Sequence, residues 1–254
     1  MKLRIAALFL LACSALAQAT PASRDEDFAP CTDAGTGPEL AGSLCAHFPI
    51  PGGKGTLLLR QFPSAAPSRG QVWLLAGESG STLYPLIGTL RKAFPGYDLI
   101  VPDRRGSAHT AALDLQAEID HYAGGGATLL YGATQGSEVV LKALPLVRTH
   151  RIEAVILDSP PLTVGGIAPE QTPSPGEQGL DLSPPRTLVL QGDATTPPPA
   201  ELDKKAPVTT YAIEGAPSFL MLTVPECAAP LVHDFVEGGS EGGAPCAARL
   251  SIRF

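Results

Sequence analysis

The chain has 254 residues, 44% hydrophobic and 17% charged, with a formal net charge of −7. That length supports one sizeable α/β domain with its own core, and an acidic chain without a basic run is a poor nucleic-acid binder. The 27 glycines and 26 prolines impose long irregular connections.

Residues 1–17, MKLRIAALFLLACSALA, read as a secretory signal. Lys2 and Arg4 form the positive start, IAALFLLA is too short to span a bilayer, and Ala15-Leu16-Ala17 offers a cleavage site before Gln18. A rival reading takes LLAC, ending at Cys13, as a lipobox that would leave a lipid anchor on Cys13. Loss of Lys2 and Arg4 takes the charge from −7 to −9. No later run is long and apolar enough to span a membrane.

Residues 18–54 form a disulfide-tied N-terminal segment, of which 18–44, polar and small, wrap the surface, and His47 lies on an early, peripheral strand. The main domain then runs over 55–254. GTLLLRQF (55–62) and VWLLAG (72–77) read as strands. TLYPLIGTLRKAF (82–94) has helical spacing, with Pro85 tolerated in a first turn. YDLIVP (97–102) is a strand. LDLQAEIDHYA (113–123) is an amphipathic helix closed by Gly124-Gly125-Gly126. ATLLY (127–131) is a buried strand and SEVVLKAL (137–144) a helix. EAVILD (153–158) is a strand, and residues 160–185, with seven prolines, form an irregular flap. TLVLQG (187–192) and PVTTYAI (207–213) are strands, and AAPLVHDFVEG (228–238) is the last helix. Apolar strands alternating with helices predict an α/β fold: a mostly parallel central sheet with helices on both faces.

Four cysteines follow the leader: Cys31, Cys45, Cys227 and Cys246. An even number in an exported chain points to disulfides, and the spacing suggests the local pairs Cys31–Cys45 and Cys227–Cys246. Each would be worth about 3 kcal/mol in the chain-entropy model. The rival, a zinc site, finds no C-x-x-C or H-x-x-x-H spacing, so no metal and no cofactor are expected.

The chemistry concentrates in YGATQGS (131–137). A buried strand, a Gly-x-x-x-Gly turn and a helix make the setting of a nucleophile elbow, G-x-S-x-G, but Thr134 stands in the middle. Four further segments follow strands in fixed order around it: AGESGS (76–81), DRRGSAHT (103–110), VILDSPP (155–161) and GDATTPPPA (192–200).

With CAHFPIP (45–51), this series resembles the α/β-hydrolase family, in particular secreted tripeptidyl-aminopeptidase and prolyl-aminopeptidase-like serine peptidases. The resemblance covers about residues 30–250. It implies the α/β-hydrolase fold, the nucleophile at Thr134, and an oxyanion hole built from the backbone of Gly77, Glu78 and Gln135. Ser79 nearly completes a second G-x-S-x-G, but it lies in the loop that supplies an oxyanion donor in that family. The family acid is expected after VLQG, where Asp193 is the nearest carboxylate. Asp158 is the runner-up, in a position that is usually structural there. The base is expected after the last strand of the core, where this chain has Pro217 and Ser218.

Of the five histidines, His109 in the DRRG loop is the candidate base, against a plain solvated loop residue. His121 and His150 read as surface positions, His233 as structural, and His47 as peripheral. The flap carries no apolar periodicity, so no helical cap domain is expected. Three departures on three catalytic parts imply a non-catalytic pseudo-hydrolase. It would be exported, to the periplasm or beyond, with a peptide or a small carboxylate or ester as ligand. The alternatives are an active peptidase or esterase using Thr134, and an envelope lipoprotein with a binding or structural role.

The leader generates a first prediction. Intact-mass spectrometry of the exported protein should find a chain beginning at Gln18; one beginning at a lipid-modified Cys13 would establish the lipoprotein alternative.

Overall fold

A computed structural model describes residues 27–32, 37–76, 83–161, 184–192, 207–239 and 248–250. The strands are β1 (Ala29–Pro30), β2 (Leu44–Pro49), β3 (Thr56–Phe62), β4 (Gly70–Leu75), β5 (Asp98–Pro102), β6 (Ala127–Ala133), β7 (Ile152–Asp158), β8 (Arg186–Gln191), β9 (Val208–Ala212) and β10 (Ala248–Leu250). The helices are α1 (Ile87–Ala93), α2 (Ala108–Tyr122), α3 (Gln135–Ala143), α4 (Leu220–Thr223) and α5 (Pro225–Val236).

These strands make one sheet in the order β1-β2-β3-β5-β4-β6-β7-β8-β9-β10. From β5 to β9 neighbouring strands are parallel. The first three and the last pair antiparallel. The parallel strands read as unbroken apolar runs because helices cover both faces. Along β4, Val72 and Leu74 join the core under α1 and α5, while Trp73 and Leu75 join the core under α2 and α3.

The chain steps from β4 outward to β5, then returns to the other side of β4 to lay down β6. The carboxyl ends of strands flanking such a reversal, here β4 and β6, are where open α/β sheets place their ligands.

Two sequence expectations change. The boundary at residue 54 falls between paired strands, since β2 runs alongside β3 in register from Leu44–Gln61 to Pro49–Thr56. Burial of Ala46 and Phe48 seats β2 in the sheet. The helix expected over 113–123 starts at Ala108 because Ser107 caps it, its hydroxyl accepting the Thr110 N–H at 3.3 Å. Arg105 holds the preceding loop to this helix through a two-pronged ion pair with Asp114, at 2.7 and 2.8 Å. Pro85 does fall in an opening turn, a short 3-10 segment over Tyr84–Leu86 ahead of α1. The Cys31–Cys45 disulfide is formed and ties β1 to β2. No described helix is long and apolar enough to cross a membrane.

Glu118 is an anomaly on α2. It is 1% exposed, and its Oε1 has no hydrogen-bond partner. Burial, reinforced by Asp114 and Asp103, pushes its carboxyl well above the ordinary glutamate range. A group whose folded pKa is raised stabilises the fold below its unfolded pKa and loses that contribution as pH climbs toward the folded value. We therefore expect stability to fall with rising pH above the ordinary glutamate range, by at most about 1.4 kcal/mol per pH unit for this single proton. Glu118→Gln should flatten that part of the profile, as urea titrations at several pH values would show.

Candidate functional site

The elbow is built by close approach. Thr134 ends β6 and is the N-cap residue of α3, with φ 49° and ψ −117°. This is the positive-φ half of backbone space, where a β-branched residue is an outlier. The two flanking glycines explain how the turn is held. A Cβ on Gly132 would lie 2.6 Å from Ser137 Cα, and one on Gly136 would lie 2.2 Å from the Leu75 carbonyl oxygen and 2.7 Å from that of Ala76. Only glycine at 136 lets α3 pass against the end of β4. Ser137, fully buried, donates from Oγ to the Gly132 carbonyl at 2.8 Å and closes the turn. Arg104 also donates to the Ala76 carbonyl, so the end of β4 is gripped from both sides. Burial lowers the pKa of that guanidinium, and Glu138 opposes the effect.

Beside the elbow, Asp158 is fully buried at the end of β7. Its backbone carbonyl accepts the Thr134 N–H at 2.8 Å. Its carboxylate accepts four bonds: Ser159 Oγ at 3.0 Å and Leu220 N–H at 2.7 Å on Oδ1, then Tyr131 Oη at 2.8 Å and Met221 N–H at 2.9 Å on Oδ2. Burial pushes this carboxyl up, and the N–H groups of Met221 and Leu220 with the two hydroxyls pull it back. Tyr131 rises well above the usual phenol range through burial and the adjoining Asp158.

Comparison with solved structures finds the same architecture. A proline iminopeptidase-related protein from Thermus thermophilus is 16% identical, with a TM-score of 0.54 over 77% of this chain and 97% of that one. A serine hydrolase without a lid, from Xanthomonas campestris, is 16% identical, with a TM-score of 0.55 over 77% and 94%. An esterase from Pyrobaculum calidifontis is 13% identical, with a TM-score of 0.56 over 77% and 84%. The chain has the α/β-hydrolase fold. No family model matches the sequence, and no curated protein matches it significantly.

In an α/β hydrolase the elbow tops a central strand, as Thr134 does here on β6. Gln135 follows it as the exposed first residue of α3. Gly77, Glu78 and Ser79 lie outside the described residues, although Ala76, just before them, lies against the elbow. Asp193 also lies outside them, and so does most of the flap. Cys227, buried on α5, is disulfide-bonded; Cys246, its expected partner, is again outside.

All five histidines are described, and none is hydrogen-bonded to Thr134. His109 sits on the first turn of α2, exposed at the carboxyl edge, rather than in the loop before it. His121 is twelve residues further along α2, about 18 Å toward the opposite edge at 1.5 Å per residue. His150 precedes β7 at that opposite edge. His47 is on β2, four strands from β6, or roughly 19 Å at ~4.8 Å per strand. His233 lines a groove of about 530 Å³ between α1 and α5, with Lys92 and Glu226. Pro217 and Ser218 are exposed in the turn after β9.

The sequence reading did not foresee the carboxylate anchorage of α4 on Asp158, nor the positive φ of Ser159 and Phe219, at 53° and 66°. The one available sign was LDSPP, an acid closing a buried strand with a small polar residue and a Pro pair behind it.

Strain and close packing predict opposite outcomes at neighbouring positions. Thr134→Gly should raise stability by about 1 kcal/mol, since roughly 1–3 kcal/mol of backbone strain is relieved against the entropy cost of glycine. Gly136→Ala should lower it by at least about 1–3 kcal/mol, because the new methyl overlaps the Leu75 carbonyl. Thermal melts of both variants check the pair.

Proposed function

We propose that this protein is a non-catalytic pseudo-hydrolase, exported to the periplasm or beyond, that binds a peptide or a small carboxylate or ester at the carboxyl edge of its sheet. The observation that carries this reading is the placement of the histidines around Thr134. A hydroxyl becomes a useful nucleophile when a base lies within about 2.6–3.2 Å and is itself oriented. Thr134 occupies the elbow position without such a partner. The turn after β9, where related enzymes carry the base, presents Pro217 and Ser218, neither of which takes a proton at neutral pH. The elbow backbone is nonetheless formed, and its amide donors depend on the fold rather than on a catalytic side chain. Without a base and an oriented acid, the rate above water falls to the residual of roughly 10³–10⁴ that binding and the oxyanion hole supply. The leader sequence and the Cys31–Cys45 disulfide support export.

His109 favours the second reading, an active hydrolase with Thr134 as nucleophile, because it shares the carboxyl edge with the elbow.

A fluorophosphonate probe and an aryl-ester assay separate the two. No labelling and no turnover beyond that of Thr134→Ala are expected. Labelling that Thr134→Ala and His109→Ala both abolish would establish the active hydrolase. Turnover gained by Thr134→Ser together with Ser218→His would trace the loss to side chains alone.

A further inference from the structure

Three non-glycine residues among those described have a positive φ: Thr134, Ser159 and Phe219. They come from three separate parts of the chain, yet all bond to one spot. The Thr134 N–H goes to the Asp158 carbonyl at 2.8 Å. Ser159 follows Asp158 and donates to its carboxylate. The Phe219 N–H goes to Ser159 Oγ at 2.8 Å, and the next two N–H groups go to the Asp158 carboxylate. Strain of this kind persists only where the surroundings over-determine it, and it collects at switches and clamps.

The segment that reaches this spot is Glu214–Phe219. Four of its six residues, Glu214, Gly215, Pro217 and Ser218, are exposed, whereas Leu220 and Met221 beyond it are fully buried. Positive-φ residues stand at both ends, Gly215 at 73° and Phe219 at 66°. Between them the backbone lies across the end of β8, where the Ala216 carbonyl oxygen would be 2.3 Å from a Cβ on Gly192. Its fastening combines the packing of Ala216 and Phe219 against the core with a polar latch at its foot, through Ser159 and Asp158.

We propose that residues 214–219 form a strap hinged at Gly215 and Phe219, latched by Ser159 and Asp158, that gates the carboxyl edge beside Thr134. Asp158 is the coupling residue, because its carbonyl holds the elbow while its carboxylate holds the foot of the strap. Release of the latch frees Phe219 and Ser159 from their positive-φ conformations and swings Ala216 and Pro217 off Gly192. The gate acts in the same way whether the site binds or turns over its ligand.

Two variants weaken the latch to different degrees. Ser159→Ala removes the acceptor of the Phe219 N–H and one of the four donors to the Asp158 carboxylate, leaving both α4 N–H bonds in place. Asp158→Asn turns an amide NH₂ toward one of the two α4 N–H groups. Hydrogen exchange of the full-length protein should show the amides of Phe219, Leu220 and Met221 exchanging at least tenfold faster in both, with β6 and β7 still protected. Gate function is read separately by placing Thr134→Cys in the parent and in Ser159→Ala and measuring alkylation by iodoacetamide. The expected result is labelling several-fold faster in the Ser159→Ala background. Unchanged labelling overturns the gate. Exchange that accelerates equally across β6, β7 and the strap overturns the latch, since Asp158 and Ser159 would then be ordinary parts of the core.

Discussion

The contact between Gly136 and the end of β4 is the constraint around which the functional edge is arranged. The carbonyls of Leu75 and Ala76 leave no room for a side chain at position 136, on the first turn of α3. This proximity fixes the crossing of α3 over the switch point between β4 and β6. It forces Thr134 into a sharp reversal, because the chain must leave β6 and enter the helix within one residue. It also sets Ala76, the residue just before the segment expected to carry an oxyanion donor, against the elbow.

The overall architecture was legible because it rests on periodicity and punctuation. Short unbroken runs such as VWLLA and ATLLY, bounded by turn residues, read as strands buried on both faces, and the helices between them then have to cross over. Gly132 and Gly136 were legible as a turn for the same reason. The errors fall where a side chain overrules periodicity. Ser107 caps α2 six residues before the apolar pattern of LDLQAEID begins, and that shift put His109 on a helix. β2 carries only part of an alternation, with Ala46 and Phe48 inward, so its pairing with β3 across residue 54 did not announce itself.

The candidate site was legible in its ingredients and not in its wiring. Thr134 was found from its glycines and their place between a buried strand and a helix. The role of Asp158 was not accessible, because its partners are mostly backbone or hydroxyl groups from distant segments. Leu220 and Met221 contribute through their N–H groups, which every residue except proline possesses. No residue-type pattern marks such a contact; only the fold brings positions 158 and 220 together. The three positive-φ residues follow the same logic, as each is strained locally by a demand made elsewhere.

The flanks of the sheet have a consequence of their own. The described sheet ends in a strand of two residues on one side and three on the other. β1 contains Pro30, which has no N–H to offer, and Cys31 directly after it is bonded to Cys45 on the neighbouring strand. An exposed row of backbone groups is a template on which a second copy can add its own strand, and the hazard grows with the length and flatness of the row. Here each outermost row is a few residues long, and one of them is covalently pinned in place. Among the described residues, the outermost rows therefore offer a second copy little backbone to pair with.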